Sequence, residues 1–258
     1  LYLAMSEQTL RFSCLDATKS NTLFSEDARS SKEKRMNFAS EERLTVVDHP
    51  LIRHKLSVIR NEDTPDYLFR QTVREITLLE GYAATQNLAT RPVEVKTPIA
   101  TCECDSIRGI EPVIVPILRA GLGMLDGMLD LIPTAPVAHL GMYRDEVTHE
   151  PHEYYAKMPD YIAERSVLLV DPMLATGGSL CAAIDALRKR GVTDIAACVI
   201  VASPEGVQTV LEHDSAVRLF TCAIDEGLNE DAYIVPGLGD AGDRIFRTQG
   251  TPVQSELV

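Results

Sequence analysis

Short apolar runs alternate with amphipathic segments from residue 113 to residue 224, and this alternation restricts the possible fold more than any other feature. The predicted strands are Val113–Leu118, Val137–Tyr143, Ser166–Val170, Ile195–Ala202 and Val217–Ile224. The predicted helices between them are Gly121–Leu131, Gly178–Arg190 and Pro204–Glu212. Strand–helix alternation favours a parallel sheet, and near-continuous apolar strands are typical of strands buried on both faces. The sequence therefore predicts an α/β fold, a parallel sheet flanked by helices.

The chain before this alternation divides into two parts. Residues 1–40 are rich in polar and charged side chains without a sustained period, which predicts a disordered N-terminal extension. From Leu68 to Ala84 the apolar residues recur at helical spacing, and Asp66 is the predicted N-cap of that helix. We therefore expect one folded domain over residues 41–250.

Two stretches do not fit the alternation. Arg144–Asp160 is polar and contains proline, which is typical of a long hairpin or flap. Glu226–Thr248 is rich in glycine and follows the last predicted strand, and we call it the hood segment. Ligands of open α/β sheets bind outside the carboxyl ends of the strands, so both stretches are expected near a binding site.

Charge and hydropathy exclude several classes of function. The net charge of −13 argues against a nucleic-acid partner, because such proteins usually carry a basic surface. The longest apolar run, Ile195–Ala202, has eight residues, and a membrane span requires about 18. The sequence therefore predicts a cytoplasmic protein with no membrane partner.

The cysteines and histidines do not indicate a metal site. Cys181, Cys198 and Cys222 lie in apolar elements and are predicted to be small core residues. Cys102 and Cys104 form one close pair, but a second pair at zinc-finger spacing is missing from the sequence. His149 and His152 flank a proline, which predicts an exposed loop.

The strongest local signal runs from Val167 to Ser179 and reads V-L-L-V-D-P-M-L-A-T-G-G-S. A buried strand ends at Asp171, and a short loop then leads into a helix with Ser179 in its first turn. Gly177 and Gly178 allow a positive φ and a close approach of the backbone to a ligand. The N–H groups and the dipole of a helix N-terminus favour an anion. The pattern predicts a phosphate-binding loop, with Asp171 placed to hold ribose hydroxyls.

Three other interpretations of the glycine-containing turns fit the sequence less well. A Gly-Gly turn between a strand and a helix is common, and Ser179 then serves only as a cap. A nucleotide-triphosphate loop is excluded because the sequence has no G-x-x-x-x-G-K-[ST]. A dinucleotide fingerprint is also excluded, since Gly121 and Gly123 lack the third glycine of that motif.

Asp171–Ser179 resembles the phosphoribosyl-pyrophosphate (PRPP) motif of type I phosphoribosyltransferases, and its wording is similar to that of the uracil phosphoribosyltransferases. Most type I relatives have two adjacent acids, whereas Pro172 takes the second place here, as in the uracil enzymes. The resemblance covers about Val46 to Phe246. Its further blocks are H-P-L-I-R-H-K-L at 49–56, V-P-I-L-R-A-G-L-G-M at 115–124, G-M-Y-R at 141–144 and I-V-P-G-L-G-D-A-G-D at 234–243.

The resemblance implies the roles of individual residues. Arg119 and Arg144 are expected on the pyrophosphate of PRPP, and Asp171 on the ribose hydroxyls. The expected PRPP-binding residues are Arg119, Arg144, Asp171, Pro172, Met173, Leu174, Ala175, Thr176, Gly177, Gly178, Ser179 and Asp240. A Mg²⁺ ion carried by PRPP is also implied, and a motif with one acid only fits an ion that is held mainly by substrate oxygens and water.

The resemblance places a uracil pocket in the hood segment. Ile234, Gly239, Asp240 and Ala241 are expected to meet the base mainly through the backbone, which can match two carbonyls and the N–H between them. Asp171, Arg119 and Asp240 are the expected catalytic residues, with Asp240 a weak candidate for general base. A flexible C-terminal loop is the alternative.

The expected activity is uracil phosphoribosyltransferase, which makes UMP and pyrophosphate from uracil and PRPP in pyrimidine salvage. A different acceptor base and a PRPP-sensing regulator are the alternatives, although the net charge argues against a regulator that binds nucleic acid. The resemblance also implies a homo-oligomer, a dimer or tetramer, in which GTP is a possible activator.

Overall fold

The computed structural model describes residues 41–109, 111–144 and 151–248. Its helices are α1 (Pro50–Arg60), α2 (Asp66–Ala84), α3 (Leu122–Leu131), α4 (Gly178–Lys189), α5 (Pro204–His213) and α6 (Ala241–Phe246). Its strands are β1 (Leu44–Val46), β2 (Thr90–Lys96), β3 (Thr101–Ile107), β4 (Val113–Leu118), β5 (His139–Arg144), β6 (Pro151–Lys157), β7 (Val167–Val170), β8 (Met173–Leu174), β9 (Ile195–Ala202), β10 (Arg218–Ile224), β11 (Gly227–Leu228) and β12 (Ile234–Val235). The predicted disorder of residues 1–40 lies outside the described residues.

The main sheet has the strand order β1-β10-β9-β7-β4-β5-β6, with β8 beside β9. All neighbouring strands are parallel except β5 and β6, which pair antiparallel. One hydrophobic core packs α4 and α5 against the sheet, and a second packs α1, α2 and α3 against the other face. The predicted α/β fold is confirmed, as a mixed sheet that is mostly parallel.

The predicted elements recur with small shifts at their ends. Pro65 is the N-cap of α2, and Asp66 is its first helical residue rather than the predicted cap. Proline suits that place because it has no N–H to leave unsatisfied. Val137 forms only an isolated bridge with Ile114, so β5 begins two residues later than predicted. The buried positions predicted for Cys181, Cys198 and Cys222 are confirmed.

The hairpin formed by β2 and β3 was missed by the sequence analysis. Its strands pair antiparallel from Thr90–Ile107 to Lys96–Thr101, and most of their residues are exposed. Polar side chains on both faces give no alternation of buried and exposed positions, which is the signal that identifies a strand. Cys102 and Cys104 lie on β3 with their Sγ atoms 3.6 Å apart.

The segment predicted as a hairpin or flap, Arg144–Asp160, contains β6, which pairs antiparallel with β5. The register of this pair shifts between Gly141 and Met142. His152 lies in β6, so the prediction of a loop at this residue was wrong. A proline at the edge of a sheet is compatible with a strand, because it sacrifices no inward hydrogen bond there. Residues 145–150, which include His149, lie outside the described residues.

The hood segment folds into the short pair β11–β12, a loop with a positive φ at Gly237 and Gly239, and helix α6. That the segment covers a bound ligand stays a prediction. Among the described helices, none combines the length and the apolar character that a membrane crossing requires.

Candidate active site

The sheet topology brings two loops of the chain together. β4 and β7 are parallel neighbours, and Val113 pairs with Val167 in register. Their carboxyl ends therefore lie side by side, although Leu118 and Val170 are 52 residues apart in sequence (170 − 118). Arg119 follows β4 and Asp171 follows β7, so the predicted pyrophosphate and ribose residues start from adjacent strand ends.

The loop from Asp171 to Ser179 has the geometry of a phosphate-binding loop. Gly177 is the N-cap of α4 with φ +88°, in the left-handed region that favours glycine. Gly178 and Ser179 begin the helix, where the first N–H groups have no carbonyl of their own helix to bind. The loop can therefore offer N–H donors to an anion at the N-terminus of α4.

A side chain at residue 177 would point toward α5. A Cβ atom there would lie 3.0 Å from both Cβ and Cγ2 of Thr209 and 3.3 Å from the carbonyl oxygen of Gly206. These atoms belong to α5, so glycine is required both by the positive φ and by the close packing of the loop on α5. The expected close approach of the backbone to a ligand therefore does not account for the glycine at residue 177.

Ser203 stabilises the loop through hydrogen bonds to its backbone, and the sequence analysis did not identify this residue. Its backbone N–H donates to the carbonyl of Leu174 at 2.9 Å, and its hydroxyl donates to the carbonyl of Ala175 at 2.6 Å. The same hydroxyl accepts from the N–H of Gly206 at 2.8 Å and caps α5. Two loop carbonyls are thus directed away from the ligand side. The only sequence signal was a serine before the helix-starting Pro204.

Asp171 lies half-buried at the end of β7, and its carboxyl has an unusual pKa. The pKa of Asp171 is raised to about 7, mainly by burial and in smaller part by the nearby carboxylate of Asp240, against the backbone amide of Met173, which lowers it. A carboxyl with such a pKa changes its charge near neutral pH. Perturbed pKa values of this kind are typical of functional sites.

A cavity of about 330 Å³ lies between this loop and the hood segment. The predicted site residues that line it are Asp171, Met173, Ala175, Thr176, Ile234, Gly239, Asp240 and Ala241. The lining residues that were not predicted are Ala120, Asp231, Ala232, Tyr233 and Gly242. The structure therefore brings residues predicted for PRPP and residues predicted for uracil to one cavity.

Other predicted residues lie outside the cavity lining. The side chain of Leu174 is buried in the core, and Pro172 is also buried, so only their backbone is available to a ligand. Arg119 is exposed beside the cavity residue Ala120, and its Nη2 lies 3.6 Å from Oδ1 of Asp243. Arg144 is the last residue of β5.

Asp240 has a structural task as well as a place in the cavity. Its Oδ1 accepts a hydrogen bond from the backbone N–H of Asp243 at 2.8 Å, which caps α6. An N-cap of this kind stabilises a helix by about 1 kcal/mol. One carboxylate oxygen is thus committed to the helix, which weakens the case for Asp240 as a general base.

Comparisons with known proteins identify the family of this chain. The model of the uracil phosphoribosyltransferase family matches residues 46–248. The uracil phosphoribosyltransferase of Latilactobacillus sakei is 53% identical over 207 residues, which are 80% of this chain and 99% of the relative. That of Thermoanaerobacter sp. (strain X514) is 53% identical over 204 residues, 79% of this chain and 97% of the relative.

A solved structure shows the same fold. The structure of the AQ2163 protein from Aquifex aeolicus superposes with a TM-score of 0.76 at 37% sequence identity, covering 81% of this chain and 100% of that chain. The family match spans the loop at Asp171–Ser179, the cavity and the hood segment. By sequence and by fold, this chain belongs to the uracil phosphoribosyltransferase family.

Proposed function

We propose that this chain transfers ribose 5-phosphate from PRPP to uracil, giving UMP and pyrophosphate, as a step of pyrimidine salvage. The observation that carries the proposal is the single cavity that joins the phosphate loop to the backbone of the hood segment. The loop contributes Asp171 and Thr176 to the lining of this cavity, and the hood segment contributes Ile234 and Gly239–Ala241. A sugar phosphate bound by the loop and a base bound by the hood segment would therefore be neighbours in this cavity.

The phosphate loop binds the 5-phosphate of PRPP in this proposal. The N-terminus of α4 supplies N–H donors and a partial positive charge, and the Thr176 and Ser179 hydroxyls add further donors. Asp171, which lies at the other end of the same loop and lines the cavity, accepts from the ribose hydroxyls. Because β4 and β7 are adjacent, Arg119 is within the same region and binds the pyrophosphate, with Arg144 joining from the end of β5.

The reaction forms a bond between N1 of uracil and C1 of the ribose and breaks the bond from C1 to pyrophosphate. The sugar gains positive charge in the transition state, and the leaving pyrophosphate gains negative charge. Asp171 stabilises the sugar when ionised, and the arginines stabilise pyrophosphate, so catalysis consists mainly of positioning and electrostatics. The proton of N1 passes to solvent or to the free oxygen of Asp240.

The acidic lining also fits a Mg²⁺ ion that arrives with PRPP. Asp171 and Asp240 would hold it, together with oxygen atoms of the substrate and water, which is the usual mode of Mg²⁺ binding in proteins. Within the described ranges, no group of three or more His, Cys, Asp or Glu side chains could hold a metal ion by itself. The ion neutralises charge on the pyrophosphate when bound.

The hood segment recognises uracil through its backbone. Ile234 is buried in β12 and Gly239 has no side chain, so at these two positions the hood segment can offer only main-chain groups to a base. A backbone edge that pairs with carbonyl, N–H and carbonyl finds the wrong partners at two of three positions of cytosine. Sites built for hydrogen bonds reject such mismatches by about 10⁴-fold.

Pyrophosphate release from PRPP with different bases tests the proposal. We expect kcat/KM to be highest for uracil, somewhat lower for 5-fluorouracil, and far lower for cytosine, orotate and hypoxanthine. Cytosine within tenfold of uracil contradicts recognition by the backbone edge. Orotate or hypoxanthine as the best acceptor contradicts the proposed activity.

Assembly and regulation follow from the family as proposals. The exposed β2–β3 hairpin supports a homo-oligomer, a dimer or tetramer, because Val95, Ile99 and Ile107 lie uncovered on it and apolar side chains of this kind favour a partner surface. Sedimentation of the purified protein tests the assembly. Assays with and without GTP test activation, and fractionation of cells tests the cytoplasmic location.

A further inference from the structure

The hood segment is fastened to the rest of the domain by a buried ion pair outside the cavity. Asp225 directly follows β10, and its side chain is 3% exposed. Its Oδ1 and Oδ2 accept from Nη2 and Nη1 of Arg60 at 2.6 and 2.7 Å. Arg60 is the last residue of α1, so the pair joins the end of a helix to the start of the hood segment.

The Arg60–Asp225 pair binds both the backbone N–H and the backbone carbonyl of Gly237 in the hood segment. Asp225 Oδ2 accepts from the N–H of Gly237 at 2.9 Å, and Arg60 Nη1 donates to the carbonyl of Gly237 at 2.8 Å. Gly237 has φ +59°, and a Cβ atom there would lie 2.1 Å from the carbonyl oxygen of Ile234. The backbone at Gly237 therefore passes directly over the carbonyl of a residue that lines the cavity.

A second arginine, Arg244, also connects the hood segment to the C-terminal end of α1. Arg244 of α6 donates to the carbonyls of Leu238 at 2.7 Å, Ile59 at 2.5 Å and Asn61 at 2.7 Å. Its guanidinium carbon also lies 4.2 Å from the centre of the Phe69 ring. Two of these carbonyls belong to the C-terminal end of α1, where a helix leaves its carbonyls without partners.

The placement of these side chains distinguishes positioning from direct binding. Arg60, Asp225 and Arg244 do not line the cavity, whereas Ile234 and Gly239–Ala241 do. The hood segment has bonds of its own at the β11–β12 pair and at the turn around Asn229. The bonds at Gly237 and Leu238, in contrast, go to the side chains of Asp225, Arg60 and Arg244. The path of the backbone that faces the base therefore depends on the guanidinium and carboxylate contacts at Gly237 and Leu238.

We propose that Arg60 and Asp225 are positioning residues that set the affinity and the selectivity for the base by fixing the Gly237 peptide above Ile234. The inference rests on the proposed function of the cavity. A carboxylate paired with a guanidinium through two parallel bonds defines an orientation, which a lysine cannot reproduce because it lacks the planar fork. Displacement of a binding group by about 1 Å is enough to lower a rate by about 100-fold.

The test uses Arg60→Lys, which keeps the charge and removes the fork. We expect KM for uracil to rise about 10- to 100-fold, with KM for PRPP changed less than about threefold. The ratio of kcat/KM for uracil to that for cytosine is expected to fall, because a displaced backbone no longer rejects the wrong pattern. A residue with only a structural role would not lower this ratio.

Arg188→Lys is the matched control. Arg188 forms the same kind of forked pair with Asp214, its side chain is 24% exposed like that of Arg60, and the pair joins α4 to the chain after α5. We expect Arg188→Lys to lower the thermal midpoint by an amount similar to Arg60→Lys, with both KM values unchanged. Loss of uracil affinity in both variants would overturn the inference, as would an unchanged uracil KM in Arg60→Lys.

Arg244→Lys provides a second route if Arg60→Lys does not fold, and the same rise in uracil KM with intact PRPP binding is expected. Binding of PRPP by calorimetry checks that the phosphate loop of each variant is intact. The parent protein separates the two hypotheses: if it does not use uracil, the proposed function fails. If it uses uracil and neither variant alters uracil KM or base selectivity, only the positioning role fails.

Discussion

Replacement of Asp171 by asparagine is expected to stabilise the protein while it abolishes most of the activity. Burial raises the pKa of Asp171 from its ordinary 3.8 to about 7. A tenfold change in proton affinity is worth about 1.4 kcal/mol, so above pH 7 the ionised carboxylate is disfavoured by about 4 kcal/mol relative to the unfolded chain. Asp171 is half-buried beside an open cavity, and because water screens part of the effect we expect a gain of about 2 kcal/mol.

The sign of the pH dependence follows from the direction of the shift. Between pH 3.8 and about 7 the folded protein retains the proton of Asp171 and the unfolded chain has lost it. The parent therefore loses stability as the pH rises through this range, and Asp171→Asn does not. The gain in the variant is expected to be smallest at pH 4.5, to grow up to about pH 7 and to stay constant above that.

Thermal midpoints at several pH values between 4.5 and 8.5 measure this effect. For a domain of this size, about 2 kcal/mol corresponds to a rise of about 4–8 °C at high pH. The exposed Asp160, replaced by asparagine, is the control and should give no pH-dependent difference. The reasoning would be refuted if Asp171→Asn had a lower thermal midpoint than the parent at pH 8.5. It would also be refuted if the two midpoints differed by the same amount at all pH values. Its turnover of uracil should fall strongly, since the charge that stabilises the transition state is lost.

Three further predictions concern the core, the loop and the N-terminal segment. Glu80→Met should raise the free energy of unfolding by about 1–3 kcal/mol in urea, because burial raises the pKa of the fully buried Glu80 carboxyl and a contact with the backbone of Val199 offsets this only in part; an unchanged midpoint would contradict this. Gly177→Ala should cost about 1–2 kcal/mol of stability and weaken PRPP binding, since φ is +88° and the new Cβ meets Thr209; removing the contact with Thr209→Ala should recover part of the stability only. Removal of residues 1–40 should leave the melting temperature and uracil turnover unchanged, because the family match begins at residue 46; a fall of several degrees would show that the segment docks.

The parallel sheet was predictable from the sequence because its strands are buried on both faces. Ile195–Ala202 is apolar throughout, and the predicted strand has the bounds of β9 in the structure. The β2–β3 hairpin could not be found in the same way, since Thr101–Ile107 is almost entirely exposed and mixes polar, acidic and thiol side chains. A pattern of hydrophobicity reports burial, and a strand with little burial leaves no pattern.

The loops of the candidate site were predictable from the sequence, whereas the residues that hold these loops in place were not. The acid and the glycines at Asp171–Ser179 are local in sequence, so one motif contains most of the phosphate loop. Arg60 and Asp225 are 165 residues apart and lie in ordinary surroundings, and nothing in the sequence links them. Ser203 likewise acts on Ala175 across 28 residues. Contacts of this kind arise from the strand order, which places distant segments at one end of the sheet.

The hydrogen bonds from Ser203 to the phosphate loop have a consequence for the kinetics of binding. The loop is held in shape by the protein itself, because Ser203, the N-cap of α5, donates hydrogen bonds to the carbonyls of Leu174 and Ala175. Little conformational entropy is therefore lost when a phosphate enters, and no loop rearrangement has to precede binding. Association with PRPP should then depend on the frequency of encounters, so its rate should rise linearly with PRPP concentration and show no plateau.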